Sequence, residues 1–506
     1  MIWMKILRIW MCNIRKLYMP KNDPIKELYR SLSGKGALPL SPDDPYYVPI
    51  HESTPEKDPI LSLWNRIDLA ESESVNLLTG FRGNGKSTEL KRLKKKLEES
   101  GCRVFLVDML DYMLMTKPLA LSDFILSLMA ALAGSAEKEI KELAPLTGSY
   151  WKRLHSFLTT EVKLDKIDLS VKGGPATAKL GFQLKTDPDF KSKVQADLEG
   201  HLTKLVEDAR GFVNELVEKI RKLSRDQDKK VVLLVDSMEQ IRGVGEETEK
   251  VYGSVVELFS GQAANLFFPR LHIVYTVPPY LSTLAHNLGR TLGGHPITQW
   301  PNIHVRISDN IPGPKGTQLM VKVIEKRFKG WESIIHKDTL IRFAEVSGGD
   351  LRDFFRLVRE SVVSLRMARV TNPDAELDEI SIQRVIQQLA NELLPIADED
   401  AKWLARIHET KKASIASEKN LPSLARLLDS NLIMNYLNGE PWYDVHPLLI
   451  PEIQNRGESG ESQNRYGRSR TPARAGNKPG RYSPYPGDTL DDPYARFPGS
   501  LFPGKS

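Results

Sequence analysis

Apolar residues along the chain fall into two kinds of pattern. Five short, nearly continuous apolar runs stand out: Val75–Leu78, Arg103–Asp108 (RVFLVD), Val231–Asp236 (VVLLVD), Leu271–Thr276 (LHIVYT) and Asn302–Ile307 (NIHVRI). They are too short for helices and lack the polar alternation of a half-exposed strand, so they read as parallel strands covered on both faces. Helical spacing fills the intervals, as in Ile60, Leu63, Trp64 and Ile67 before the first run and Leu90, Leu93 and Leu97 after it. Strands alternating with helices predict an α/β fold with a doubly wound parallel sheet of five core strands, its ligand at the carboxyl ends of the strands.

The remaining segments set the domain limits. Residues 20–58 read as a helix followed by a Pro-rich loop, and 59–311 as the sheet core. An insertion over about 112–228 separates strands two and three, far longer than an ordinary connection. Its segments Phe124–Leu132 and Ala196–Leu223 have helical period, whereas Ile167–Leu184 alternates around Gly173-Gly174-Pro175 like a hairpin. Residues 312–375 read as a small helical lid broken at Ser347-Gly348-Gly349-Asp350. Within 376–453, helices over Ile380–Leu394, Trp403–Ile407 and Leu421–Leu428 precede two alternating strands around Asn438-Gly439, the order of a winged helix. Residues 454–506 carry almost no aliphatic side chains and read as a disordered tail.

Chemistry concentrates where the first apolar run ends. Gly80-Phe81-Arg82-Gly83-Asn84-Gly85-Lys86-Ser87, followed by Thr88, has the G-x-x-x-x-G-K-[ST] spacing of a loop that wraps a phosphate chain with backbone N–H groups. The glycines permit close backbone approach, Lys86 supplies a charge for the β/γ-phosphates, and the Ser87 hydroxyl is placed to hold Mg²⁺. Asp236, ending the third run, is the second candidate Mg²⁺ ligand. Glu239, three residues on, is the candidate general base, with a helix-start carboxylate as the alternative. Thr276 at the end of the fourth run could orient water or phosphate, Arg352 could bring a guanidinium from the lid, and Arg290, with Arg270 as its competitor, could act as an arginine finger on a neighbouring subunit.

Composition narrows this picture little. The chain has 506 residues, 41% hydrophobic and 27% charged, with a net charge of +6 that neither requires nor excludes nucleic acid. Two cysteines, Cys12 and Cys102, exclude a disulfide framework and a cysteine metal site, and point to a reducing, cytoplasmic setting. No run is long and apolar enough for a membrane span. Residues 1–19 form an N-terminal extension with basic amphipathic character, and Met19-Pro20 reads as an alternative start.

The phosphate loop, the VVLLVD strand, Thr276, the lid arginine and the terminal helix–hairpin together resemble prokaryotic AAA-type P-loop NTPases with the layout of archaeal origin-recognition initiators, over about Pro59–Leu449. The resemblance implies ATP, ATP-driven lid movement, oligomerisation around an arginine finger, and action on double-stranded DNA or a protein through the winged helix. One departure bears on hydrolysis. That family places its catalytic glutamate directly after the strand-three aspartate, where this chain has Ser237. A slow or non-hydrolysing ATP switch resembling the STAND ATPases in signalling or defence is therefore the rival. A GTPase is disfavoured by the missing Asn-Lys-x-Asp motif, and a small-molecule kinase finds no support in the insertion or wing.

Overall fold

The computed structural model describes residues 23–34, 38–50, 58–160, 162, 188–285, 288–305, 314–413, 420–438 and 440–456. The N-terminal extension, the expected insertion hairpin and residues 457–506 of the expected tail lie outside them; residues 454–456, assigned to that tail by composition, instead continue a helix.

The sheet is parallel and five-stranded. Its strands β1 (Val75–Gly80), β2 (Arg103–Asp108), β3 (Val231–Asp236), β4 (Leu271–Val277) and β5 (Thr298–Trp300) stand in the order β2-β3-β4-β1-β5. Placing β4 between β1 and β3 sets the end of β4 between the phosphate loop and Asp236. The fifth strand corrects the sequence reading, which put it at Asn302–Ile307. Thr298–Trp300 pair with β1 instead, while Ile303 and Val305 are buried in the helical lid. The Asn302 N–H donates to the Asn435 carbonyl, 2.9 Å away, and is not available to a ladder.

Strand parity sorts the core. Leu78, Val104, Val232, Leu234 and Val274 face α2 (Pro59–Leu69) and α3 (Lys86–Glu99), after the short N-terminal helix α1 (Pro24–Ser31). Leu77, Phe105, Leu233, Val235 and Tyr275 face the other side, where α4 (Leu121–Glu139), α5 (Ala144–Thr160), α6 (Pro188–Leu198), α7 (Leu202–Ser224) and α8 (Thr248–Val256) form the cover. The insertion thus supplies one wall of the core. Its long helical stretch is divided, with a 3₁₀ turn at Glu199–His201 between α6 and α7.

Beyond β5 come α9 (Pro314–Arg327), α10 (Lys337–Val346), α11 (Leu351–Thr371) and α12 (Glu379–Glu392), which share a second core with α1. Helices α13 (Asp398–Thr410) and α14 (Leu421–Asp429) lead into an antiparallel hairpin of β6 (Ile433–Asn438) and β7 (Glu440–Val445), and a final helix α15 covers 450–456. Leu404, Leu424, Leu428, Ile433 and Val445 continue the core of the insertion face, so this C-terminal unit packs directly on the body of the parallel sheet and its helices.

A buried ionic network ties α2, α3 and the segment 38–50. Asp58 caps α2, accepting from Ile60 N–H at 2.9 Å, and receives both terminal nitrogens of Arg92 at 2.7 Å. Arg92 Nε donates to Glu89 at 2.6 Å, and the Tyr47 hydroxyl donates to the other Glu89 oxygen at 3.0 Å. Removing the arginine strands two buried carboxylates. Arg92→Ala is expected to lower stability by about 3–5 kcal/mol, read as a displaced denaturant midpoint; an unchanged midpoint would refute this role for the network.

Candidate nucleotide site

The loop between β1 and α3 has the backbone that its glycines permit. Gly83 and Gly85 have φ of 89° and 83°, in the left-handed region, and Gly85 is the N-cap of α3. A Cβ on Gly80 would come within 2.6 Å of the Trp300 carbonyl oxygen, so β5 approaches the loop as closely as glycine allows. Trp300 and Asn84 then brace the loop from that side, through an indole N–H to the Asn84 carbonyl at 2.8 Å and an Asn84 amide to Asn302 Oδ1 at 2.7 Å. The loop opens the N-terminus of a 14-residue helix, where unpaired N–H groups and the helix dipole favour an anion.

One buried acid, Glu239, faces Lys86. Lys86 is 3% exposed; its ammonium donates to the Phe81 carbonyl at 2.5 Å and lies 3.4 Å from Glu239 Oε1. The other Glu239 oxygen is buried with no hydrogen-bond partner among the described residues. Glu239 arrives there by a turn. Ser237, with φ of 72°, reverses the chain after β3, and the 3₁₀ turn Met238–Gln240 carries the glutamate back over the loop. Asp236 sits beside it, its carboxyl pushed up to about 6 by burial and then by the Glu239 charge, against a hydrogen bond from Ser87. A hydroxyl and a buried carboxylate already in contact, next to an unpartnered oxygen, fit the donor chemistry of Mg²⁺. No cluster of three His, Cys, Asp or Glu suited to a metal occurs among the described residues, so any ion here draws on the Ser87 hydroxyl as well as carboxylates.

Thr276, the candidate for orienting water or phosphate, has a backbone partner. Fully buried at the end of β4, its hydroxyl accepts the Met238 N–H at 2.9 Å, which fixes the turn that delivers Glu239. Arg352, at the start of α11, lies on Gly83, where a Cβ would meet its Cβ and Nε at 2.8 Å. Arg290 is exposed on the one-turn helix Leu288–Thr291. Gly293, three residues on, closely approaches the Val75 carbonyl, which places this segment at the end of β1 opposite the phosphate loop. Arg270 also stands at the opposite end of the sheet, immediately before β4, with its guanidinium 3.1 Å from Glu218. Neither arginine is brought to the loop of its own chain.

A cavity of about 230 Å³ adjoins the loop. Arg82, Gly83, Gly85, Lys86, Ser87, Thr88 and Glu239 form its loop end, and the segment 38–50 closes the other with Tyr46, Tyr47, Val48 and Ile50. Lid residues Val323, Arg327, Leu351 and Phe355 complete the apolar wall, with the Arg327 guanidinium 4.8 Å from the Phe355 ring centre. The Leu40 N–H donates to Thr88 Oγ1 at 3.1 Å and anchors the wall to α3. None of these wall residues is legible in the sequence, because a Pro-rich loop has no period to read.

No family model matches the chain, and no curated protein matches it. Among solved structures it is similar to the Aeropyrum pernix ORC2 protein in its ADP form, at 10% identity and TM-score 0.38, over 85% of this chain and 98% of that one. It is similar to Cdc6p from Pyrobaculum aerophilum, at 12% identity and TM-score 0.34, over 83% and 97%. Likeness to the Thermotoga maritima RuvB Holliday junction branch migration motor is 12% identity and TM-score 0.31, over 80% and 95%.

The start of α11 carries a titration of its own. Asp350 caps that helix, accepting from Arg352 and Asp353 N–H at 2.8 and 3.0 Å, yet burial, then the Asp353 charge, pushes its carboxyl up to about 7. A raised carboxylate binds more protons folded than unfolded, so stability falls as pH rises from about 4 to about 7. Asp350→Asn keeps a capping oxygen and cannot ionise. The variant's melting temperature relative to the parent is expected to be higher at pH 8 than at pH 5; a difference that is flat across that range would contradict it.

Proposed function

We propose that this chain binds ATP with Mg²⁺ in the cavity between the phosphate loop, the segment 38–50 and the lid, and hydrolyses it. The observation that carries the reading is the Glu239 carboxylate, held 3.4 Å from the loop lysine with its second oxygen buried and unpartnered. A carboxylate so placed has one oxygen for Lys86 and one for a water molecule. Polyphosphate binding takes Lys86 away from Glu239 and leaves the carboxylate to serve as base. Ser87 and Asp236 are the residues that would hold Mg²⁺, which neutralises charge on the transferred phosphoryl group when bound. Arg352, against Gly83, completes the cationic rim from the lid, and Thr276 positions the Glu239 turn through the Met238 amide.

The left-handed Ser237 supports hydrolysis despite its place after the strand-three aspartate. It lets the chain reverse so that a glutamate three residues on, rather than one, faces the loop. In this reading the nucleotide state moves the lid and the helix–hairpin unit, a winged helix, to act on a partner. Arg426, the basic residue of α14, is paired with Asp400 at 2.8 Å, which favours a protein over DNA at that helix. Oligomerisation through Arg290 would bring its guanidinium to a neighbour's site. No described helix is long and apolar enough to cross a membrane.

The held switch is the second reading, favoured by the engagement of both loop cations with carboxylates of the same chain. Turnover separates the two. The full chain is expected to hydrolyse MgATP, with Lys86→Ala and Glu239→Gln each lowering kcat by about 100-fold or more and Glu239→Gln retaining nucleotide binding. Tight binding without turnover, with and without double-stranded DNA, would overturn the ATPase and leave the switch.

A further inference from the structure

The third residue of the phosphate loop reaches out of the loop. Arg82 Nη2 lies 2.5 Å from Asp429 Oδ1, at the last position of α14, and the Tyr252 hydroxyl of α8 donates to Asp429 Oδ2 at 3.1 Å. Arg82 Nε also donates to the Glu239 carbonyl at 3.5 Å. The Arg82 and Asp429 side chains are only 15% and 7% exposed. Arg82 nevertheless lines the cavity beside Gly83, Lys86 and Ser87. One guanidinium therefore borders the space for a polyphosphate while its charge is neutralised by the C-terminal unit.

We propose that Arg82 is a terminal-phosphate ligand that Asp429 withholds, so that the Arg82–Asp429 pair is a latch which a nucleoside triphosphate opens and a diphosphate does not. This rests on the nucleotide-binding reading above and names how that site controls the C-terminal unit. A guanidinium satisfies a carboxylate or a phosphate with the same planar donors, so the two compete directly. Asp429 and Tyr252 hold it in the closed state; the γ-phosphate, which a diphosphate lacks, pulls it inward. Asp429 then loses its cation in a nearly dry setting, and the ion pair no longer holds α14 to the loop.

A ligand can shift such an equilibrium only by binding the two states differently, and the latch makes the third phosphate the source of that difference. Tyr252 deepens the closed state without touching the cavity. It lies on α8, packed against Tyr280 at a ring separation of 4.3 Å, so the carboxylate is oriented from the rigid body of the fold and not from the lid.

The test uses the full chain and compares the affinities of magnesium-bound ADP and the non-hydrolysable triphosphate AMPPNP by titration calorimetry. Asp429→Asn is expected to strengthen AMPPNP binding about tenfold while leaving ADP unchanged. Arg82→Ala in the same background is expected to abolish that gain. Tyr252→Phe, which keeps the ion pair and loses one hydrogen bond, is expected to give a smaller gain in the same direction, and serves if Asp429→Asn fails to fold. An AMPPNP-to-ADP preference unchanged in both Asp429→Asn and Tyr252→Phe, in protein that binds both nucleotides, would overturn the latch alone. A parent chain that binds neither nucleotide would overturn the site itself, and the latch with it.

Discussion

A buried cation needs an anion, and the phosphate loop places Lys86 in a nearly dry cleft with the partly buried Arg82 at its edge. Lys86 stands 3.4 Å from Glu239, and Arg82 2.5 Å from Asp429. The two acids come from opposite ends of the chain's design, one from the turn after β3 and one from the end of α14. Leaving either cation unpaired would cost several kcal/mol, so the positions of both elements answer to the loop. A polyphosphate offers the same charge with more acceptors, and under the proposed function its entry would exchange partners instead of merely filling space.

The sheet order makes that exchange local. With β4 between β1 and β3, the Thr276 hydroxyl stands between the loop and Asp236 and holds the Met238 amide. The reversal at Ser237 would otherwise be free to move. A non-glycine residue in the left-handed region is held there by its surroundings, here the Asp236 carboxylate, which accepts the Ser237 N–H at 2.8 Å, and the Met238 contact. The strain is small and its result is the placing of Glu239.

Much of the body was legible because its signals are short-range. VVLLVD and LHIVYT can only be strands covered on both faces, and the loop's glycines declare their backbone in the spacing itself. NIHVRI failed for a physical reason: Ile303 and Val305 are buried, but by the lid and not by the sheet, and periodicity does not say which neighbour does the burying. Helix α5 went unread because Gly148 and its polar residues dilute the stripe of Tyr150, Trp151, Leu154 and Phe157. In the site, Lys86, Ser87, Asp236 and Glu239 were read from motif and offset. Asp429 and Tyr252 could not be, since a carboxylate at the end of a helix is ordinarily solvated, and only the chain's return to the loop over hundreds of positions gives this one a partner.

The C-terminal unit is connected to both halves of the cleft. Its helices and hairpin share the insertion-face core, while His446, fully buried after β7, lies 3.2 Å from Asp353 in the first turn of the lid helix α11. Leu448 enters the lid core, and the Tyr436 hydroxyl donates to the Gly348 carbonyl at 2.8 Å, at the break between α10 and α11. Gly349, with φ of 77°, has no room for a Cβ against the Ile303 carbonyl, so that break is fixed in shape. Packed interfaces of this kind change by discrete steps and not by gradual bending. Under the proposed function, displacing Arg352 or Arg82 toward a phosphate would strain contacts on both sides of the hairpin at once, and that shared strain would let two arginines on separate elements report one event in the cleft.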